Sequence, residues 1–241
     1  MKKEMMYREL ANYYDLLYVG GKKKDYIAEA QKVIEIATKL KRSRGNDLLE
    51  VACGTGKHLE QLKQVFTCVG TDINQGILNV ARKNINGVLF KRADMMTMNL
   101  GRQFDVVTCL FSSIGYVKTR ANLKKTIDRL GAHVKLGGVL MIEPWFWKGE
   151  FAAGKPHMLT HSEQDVKIAR AHISRIKGNV SILDFNFLIA ETGKGVRYFK
   201  DRHELGLFVK EDMLNLVRQA GFEVSFVENV LERGLCVGVK K

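Results

Sequence analysis

The chain has 241 residues, 46% of them apolar, and a formal net charge of +13. That length buries one full core with room for an insert and excludes two large independent domains. No run approaches the roughly 20 apolar residues of a membrane span, and the charge-rich first ten residues lack a secretory apolar core, so a cytoplasmic protein is expected. The positive balance would suit anionic partners. Its clusters at 22–24, 39–44 and 118–129, however, fall in helical patterns or turns without interleaved aromatics, the pattern of a solvated surface.

From Asp25 the residues Ile27, Ala30, Val33, Ile34, Ala37 and Leu40 recur at helical spacing. The basic stretch 39–44 suits a helix C-terminus, with Gly45 as the expected stop. Residues 48–52 read as a strand and 58–65 as a helix. Further strands are predicted at 67–71, 88–91, 104–110 and 139–143, separated by helices near 74–84 and 119–134, with Gly137-Gly138 turning into the fifth strand. This alternation predicts a parallel sheet. Cysteines 53, 68, 109 and 236 lie in or beside strand-like segments without a C-x-x-C pair, and are expected to be reduced, buried thiols.

After Glu143 the pattern changes. Runs at 166–176, 180–190 and 196–207 half-alternate and are split by Lys177-Gly178-Asn179 and Thr192-Gly193-Lys194-Gly195, which predicts antiparallel hairpins. Leu183, Phe185, Phe187 and Ile189 share one face while Asp184 and Asn186 take the other, so this sheet packs on one side. A helix at 211–220 and strands at 223–227 and 235–239 follow. The expected fold is α/β: a Rossmann-like, doubly wound, mostly parallel seven-stranded sheet with an inserted antiparallel β lid. The expected division is 1–144 with 208–241 for the nucleoside-binding domain and its N-terminal helical cover, and 145–207 for the lid and substrate region.

Between the first strand and first helix, Glu50-Val51-Ala52-Cys53-Gly54-Thr55-Gly56 offers bare backbone to a ligand at Gly54 and Gly56. A dinucleotide fingerprint would need glycine where Leu59 stands; a P-loop would need glycine at Val51 and Ser or Thr at His58. Asp72, beside Ile73 at the end of the second strand, is placed to accept both hydroxyls of a ribose. Asp94 follows the third strand, where a carboxylate takes the exocyclic amine of adenine while Met95 covers the ring. Either aspartate alone would serve equally as a helix cap. Together with the glycine turn they describe an adenosine without phosphates, and the set resembles the class I S-adenosylmethionine methyltransferases. The resemblance implies S-adenosyl-L-methionine as cofactor, held by Ala52, Gly54, Gly56, Asp72, Ile73, Asp94, Met95 and Leu110.

Five more segments are distinctive: Tyr14-Asp15-Leu16-Leu17-Tyr18 with Gly21 and Lys24-Asp25-Tyr26; Phe111-Ser112-Ser113-Ile114-Gly115-Tyr116; Glu143-Pro144-Trp145; Gly193-Lys194-Gly195-Val196-Arg197; and Arg233-Gly234-Leu235. Over nearly the whole chain these resemble the dTDP-amino-sugar N,N-dimethyltransferases that make desosamine- and mycaminose-type sugars of macrolides. The resemblance implies that Tyr14 and Tyr26 lie over the methionine end of the cofactor, and that Tyr116 and Arg233 face a nucleotide sugar. The chain departs from that family at Leu231-Glu232-Arg233-Gly234, where a carboxylate joins the arginine, and in its lysine-rich surface.

Methyl transfer from a sulfonium is an in-line displacement, so a neutral amine needs mainly to be held about 3 Å from the methyl carbon. Tyr14 is the candidate for cation–π stabilisation of the sulfur. Tyr116 is the candidate for orienting the amine or taking its proton through water. Arg233 would clamp a phosphate or carboxylate, or else pair with Glu232. These three are the catalytic candidates. Trp145, with Phe146 and Trp147, walls the substrate pocket or seals lid to core, and His203 is a weaker substrate candidate.

His157 and His161, at i and i+4, lack a nearby acidic or cysteine ligand, so no metal is expected. Ser112-Ser113 lacks a G-x-S-x-G elbow. The expected partner is a small-molecule amine, nucleotide-linked in the sharpest version, with no membrane and with a homodimer left open. The alternatives are another N or O acceptor, or a basic nucleic-acid-binding protein on the same fold, which is disfavoured.

Overall fold

The computed structural model describes residues 5–7, 10–20 and 24–241; Gly21, Lys22 and Lys23 of the expectations above lie outside them. The helices are α1 (Ala11–Asp15), α2 (Tyr26–Leu40), α3 (Lys57–Leu62), α4 (Gln75–Asn84), α5 (Arg120–Ala132) and α6 (Lys210–Gln219). Strands β1 (Asp47–Val51), β2 (Thr67–Asp72), β3 (Leu89–Arg92), β4 (Phe104–Cys109) and β5 (Val134–Ile142) alternate with helices. A consecutive run follows, β6 (Pro156–Ser162), β7 (Val166–Lys177), β8 (Val180–Glu191) and β9 (Gly195–Gly206), and then β10 (Phe222–Val227) and β11 (Leu235–Lys240).

Seven strands form one sheet in the order β10-β11-β5-β4-β1-β2-β3, and β6 to β9 form a separate four-stranded sheet. Neighbours from β5 through β4, β1 and β2 to β3 run parallel, whereas β11 is antiparallel to both β5 and β10. The centre of the sheet is buried on both faces: every residue of β4 is buried, which is why the strand reads as a near-continuous apolar run. On one face Leu49 and Val107 meet Ile127 and Leu130 of α5 and Val217 of α6. On the other, Leu48 and Val106 meet Val33 of α2, Leu59 of α3 and Leu78 of α4. This is the doubly wound arrangement.

The antiparallel sheet packs on one side. Leu183, Phe185, Phe187 and Ile189 are buried with Leu10, Tyr14 and Leu17 of the N-terminal segment, while Leu188 faces out. Each fully buried side chain of this size contributes roughly 1.5–3 kcal/mol, so this face fastens cover and lid to each other. Polar ties reinforce it. Arg197 donates to Glu191 (2.9 Å) and to Tyr13 Oη (2.5 Å), and Arg170 donates to Tyr18 Oη (2.8 Å).

Three expectations are corrected. The lid has a fourth strand, β6, along which only Leu159 and His161 are buried. Next, β5 begins at Val134, so Gly137-Gly138 lies within it, where the register against β4 shifts. Finally, α2 ends at Leu40 with Lys41 extended, and Gly45 stands beyond it for another reason: a Cβ there would come within 2.4 Å of the Asp105 carboxylate that accepts its N–H. Among the described residues no helix is long and apolar enough to cross a membrane. All four cysteines are buried and unbridged.

Candidate active site

The strand order reverses between β1 and β4, and the loops leaving their carboxyl ends open a crevice there. Both loops hold residues in left-handed backbone: Ala52 (φ 57°) and Gly54 (φ 58°) after β1, Phe111 (φ 50°) and Ser112 (φ 58°) after β4. For a non-glycine residue this conformation is uncommon and costs about 1–3 kcal/mol, so the surroundings must enforce it. The Phe111 N–H donates to Glu143 Oε2 (2.6 Å) and Ser112 Oγ donates to the Pro144 carbonyl (2.7 Å). Two of the distinctive segments are thus bolted together. In the other loop the Gly54 N–H donates to Asp72 Oδ2 (3.1 Å), while Asp72 Oδ1 accepts the Asn74 N–H (2.8 Å).

A cavity of about 650 Å³ occupies the crevice beneath the lid, within the usual range for small-molecule sites. It is bordered by Ala52 and Gly54 after β1, Asp72 and Ile73 at and after the end of β2, Asp94 and Met95 after β3, and Leu110 after β4. Tyr14 from α1 and Tyr26 from the start of α2 also border it. Tyr116, Trp145, His203 and Arg233 border the same cavity. Gly56 is the exception. It caps α3 at φ 80°, and a Cβ there would stand 2.8 Å from Ile85 and 3.3 Å from Phe90, so its glycine serves the turn and the packing behind it. Asp94 also has a local task, since its Oδ1 accepts the Met96 N–H at 2.8 Å.

Much of the lining is aromatic. Tyr14 lies against Tyr7 and Tyr18, with ring centroids 5.8 and 4.8 Å away. Trp145 Nε1 donates to Ser181 Oγ on β8 (2.9 Å), so this ring both lines the cavity and seals the joint of lid and sheet. The Arg233 guanidinium sits 3.7 Å over the Phe146 ring and pairs with Glu232 at 2.8 Å, the ion pair expected as the alternative to a phosphate clamp. His157 stacks on His172 (5.1 Å, 18°), whereas His161 pairs with Glu163, so the two histidines of the i, i+4 pattern have separate partners. Burial first, then Arg170, lowers His172 to about 4, which leaves it neutral at pH 7.

Beneath the β1 loop lies a charge network that sequence reasoning missed. His58 bridges Glu29 (Nε2, 2.9 Å) and Glu50 (Nδ1, 3.1 Å), while Lys24 stands 2.7 Å from Glu29 and 3.9 Å from Glu143. Burial opposes the imidazolium, but the two carboxylates outweigh it and raise His58 to about 9. Burial likewise opposes ionisation of Glu29, yet His58 and Lys24 together hold it below the usual carboxylate range. A folded-state pKa above the unfolded value of about 6.5 means stability present at pH 6 and lost as pH rises through about 9. The melting temperature is therefore expected to fall across that window, and in His58→Gln the decline should flatten, as thermal unfolding at several pH values would show.

Glu50 is the residue of this network that bears on a ligand. It borders the cavity at 2% exposure, and its Oε2 is buried without a hydrogen-bond partner among the described residues. An unsatisfied buried carboxylate oxygen costs stability unless something cationic meets it. S-adenosylmethionine, with an ammonium and a sulfonium beside its adenosine, fits this donor set. The only sequence signal for Glu50 was an acid inside an otherwise apolar strand.

Residues 48–138 match the family described as Methyltransferase domain. A dTDP-3-amino-3,4,6-trideoxy-alpha-D-glucopyranose N,N-dimethyltransferase of Streptomyces venezuelae is 35% identical over 95% of this chain and 97% of its own length. The crystal structure of DesVI from Streptomyces venezuelae superposes with a TM-score of 0.90 at 35% identity, covering 96% of this chain and 98% of that one. The S-adenosylmethionine-bound structure of CalS10, an amino pentose methyltransferase from Micromonospora echinaspora, gives a TM-score of 0.84 at 32% identity, covering 95% and 96%.

Proposed function

Because this chain belongs to the S-adenosylmethionine-dependent methyltransferases, and within them to the dTDP-amino-sugar N,N-dimethyltransferase family, we propose that it methylates the amine of a nucleotide-linked amino sugar. The observation that carries the reading is the single cavity that both sets of residues border. Polar groups suited to an adenosine line it together with tyrosines, a histidine and an arginine, at the strand-order reversal. Residues 1–144 and 208–241 are read as the cofactor-binding domain with its cover, which also lends Tyr116 and Arg233 to the acceptor, and 145–207 as the lid and substrate region.

In this reading Asp72 takes the ribose hydroxyls and Asp94 the adenine amine, with Met95 and Leu110 against the ring. Ala52 and Gly54 offer backbone, and Ile73 packs beside the ribose. Glu50 meets the ammonium, and Tyr14 and Tyr26 cover the methionine end. When bound, S-adenosylmethionine supplies a methyl carbon made electrophilic by its sulfonium. Tyr14 presents a π face that stabilises positive charge without attacking carbon. Tyr116 orients the acceptor amine, Trp145 and the lid's aromatic face keep water out, and His203 faces the acceptor from β9. Arg233 holds the acceptor's phosphates, for which its place beside the aromatic wall is suited.

Calorimetric titration of the S-adenosylhomocysteine complex with dTDP tests the nucleotide handle. Saturable binding is expected, weakened about tenfold in Arg233→Ala, the loss of one charge-assisted contact. No dTDP binding to the loaded protein would reject the nucleotide-linked acceptor.

A further inference from the structure

Two residues stand behind Tyr116: His203, read above only as facing the acceptor, and Asp201, to which the proposed chemistry gives no role. Asp201 and His203 project from β9 into the lid's inner face, 7% and 4% exposed. Tyr116 Oη lies 2.5 Å from His203 Nδ1, His203 Nε2 lies 2.9 Å from Asp201 Oδ2, and the Met6 N–H donates to that same carboxylate oxygen at 2.8 Å. On the cavity side Tyr7 Oη is 2.8 Å from Tyr116 Oη.

The chemistry of the groups gives this chain a direction. An ionised carboxylate only accepts, so His203 carries its hydrogen on Nε2 and presents the Nδ1 lone pair. The Tyr116 O–H then donates to Nδ1, and its oxygen accepts, with the Tyr7 O–H as one donor at 2.8 Å. A hydroxyl, an imidazole and a carboxylate in this order are the arrangement by which a weak acid is made able to take and pass a proton.

We propose that His203 and Asp201 are positioning residues that act through Tyr116 as a proton relay for the acceptor amine. The inference rests on the amine-methylation reading above. Each transfer to nitrogen leaves an ammonium, which must lose a proton before its lone pair can receive a second methyl. In the relay the ammonium N–H bond breaks as an O–H bond forms on Tyr116. The original Tyr116 O–H bond breaks as an N–H bond forms on His203 Nδ1, and Asp201 stabilises the resulting imidazolium. The proton passes to water when the product leaves, so the step needs no further reactant.

The charged and titratable groups around His203 are Asp201 on its own strand, Tyr116 and Tyr7 from the turns 113–117 and 5–7, Arg170 and His172 from β7, and His157 behind them on β6. His203 makes ring contact with Phe185 at 4.9 Å, which shields its edge from solvent.

The test compares wild type, Asp201→Asn and His203→Gln with a dTDP-amino sugar at pH 7 and pH 9.5, with monomethyl and dimethyl products resolved by mass. The variants should lose about ten- to a hundredfold in the second methylation at pH 7 and accumulate monomethyl product. At pH 9.5, where the amine sheds its proton to solvent, the deficit should shrink to within about threefold. A clasp that only fastens lid to sheet would cost the same at both pH values; that result, or wild-type rates in both variants at pH 7, would overturn the relay alone. Wild type that methylates no amine at either pH would instead overturn the acceptor reading and the relay with it. Independently, nitrogen-15 NMR of the ligand-free protein should find His203 as the Nε2–H tautomer, and an Nδ1–H tautomer would also overturn the relay.

Discussion

Asp72→Ala is expected to weaken S-adenosylhomocysteine binding roughly 10- to 150-fold. Hydrogen bonds to a charged group contribute about 1.5–3 kcal/mol, and each 1.4 kcal/mol is a factor of ten. A second effect runs in the same direction. The Asp72 carboxylate also holds the Gly54 N–H, so its removal frees a loop that stands in left-handed backbone at Ala52 and Gly54. Calorimetry on the variant checks this, with Asp72→Asn as the companion that keeps an acceptor for the loop. An affinity within threefold of wild type in Asp72→Ala would mean that the adenosine site has been assigned to the wrong ligand.

Tyr116→Phe separates shape from chemistry at the acceptor end. The ring survives in this variant, while the hydroxyl that meets Tyr7 and His203 is lost. A fall of about a hundredfold in the rate of the second methylation at pH 7 is expected, the lower end of what proton transfer by a positioned side chain contributes. Cofactor affinity should stay unchanged, because in this reading Tyr116 meets the acceptor and not the cofactor. A rate within threefold of wild type would reduce Tyr116 to packing.

Much of this was legible in the sequence because the signals are local. The strand-glycine-helix join at 48–57, the aspartates closing β2 and β3, and the two glycine-rich turns of the lid are read from a few neighbouring residues. What escaped depends on contacts across the fold. His58, Glu29 and Lys24 lie on two helices and the loop before them, and only the packing of α2 on α3 brings them under Glu50. Asp201 is an ordinary acid in a half-alternating run until β9 turns it inward behind His203. Strand β6 escaped because only Leu159 and His161 are buried along it, and a single aliphatic residue leaves no hydrophobic periodicity. Gly56 shows the reverse case: its motif position suggested only ligand contact, whereas its φ of 80° and its neighbours Ile85 and Phe90 give the glycine a structural reason that local reading could not supply.

The most direct test is transfer itself. The protein is incubated with methyl-labelled S-adenosylmethionine and a dTDP-3-amino-3,4,6-trideoxyglucose, the acceptor named for the Streptomyces venezuelae relative, and the nucleotide sugar is followed by mass. Two successive gains of a labelled methyl on the sugar nitrogen, with stoichiometric S-adenosylhomocysteine, are the predicted result. Binding of the cofactor without any gain of label by the amino sugar would contradict the account.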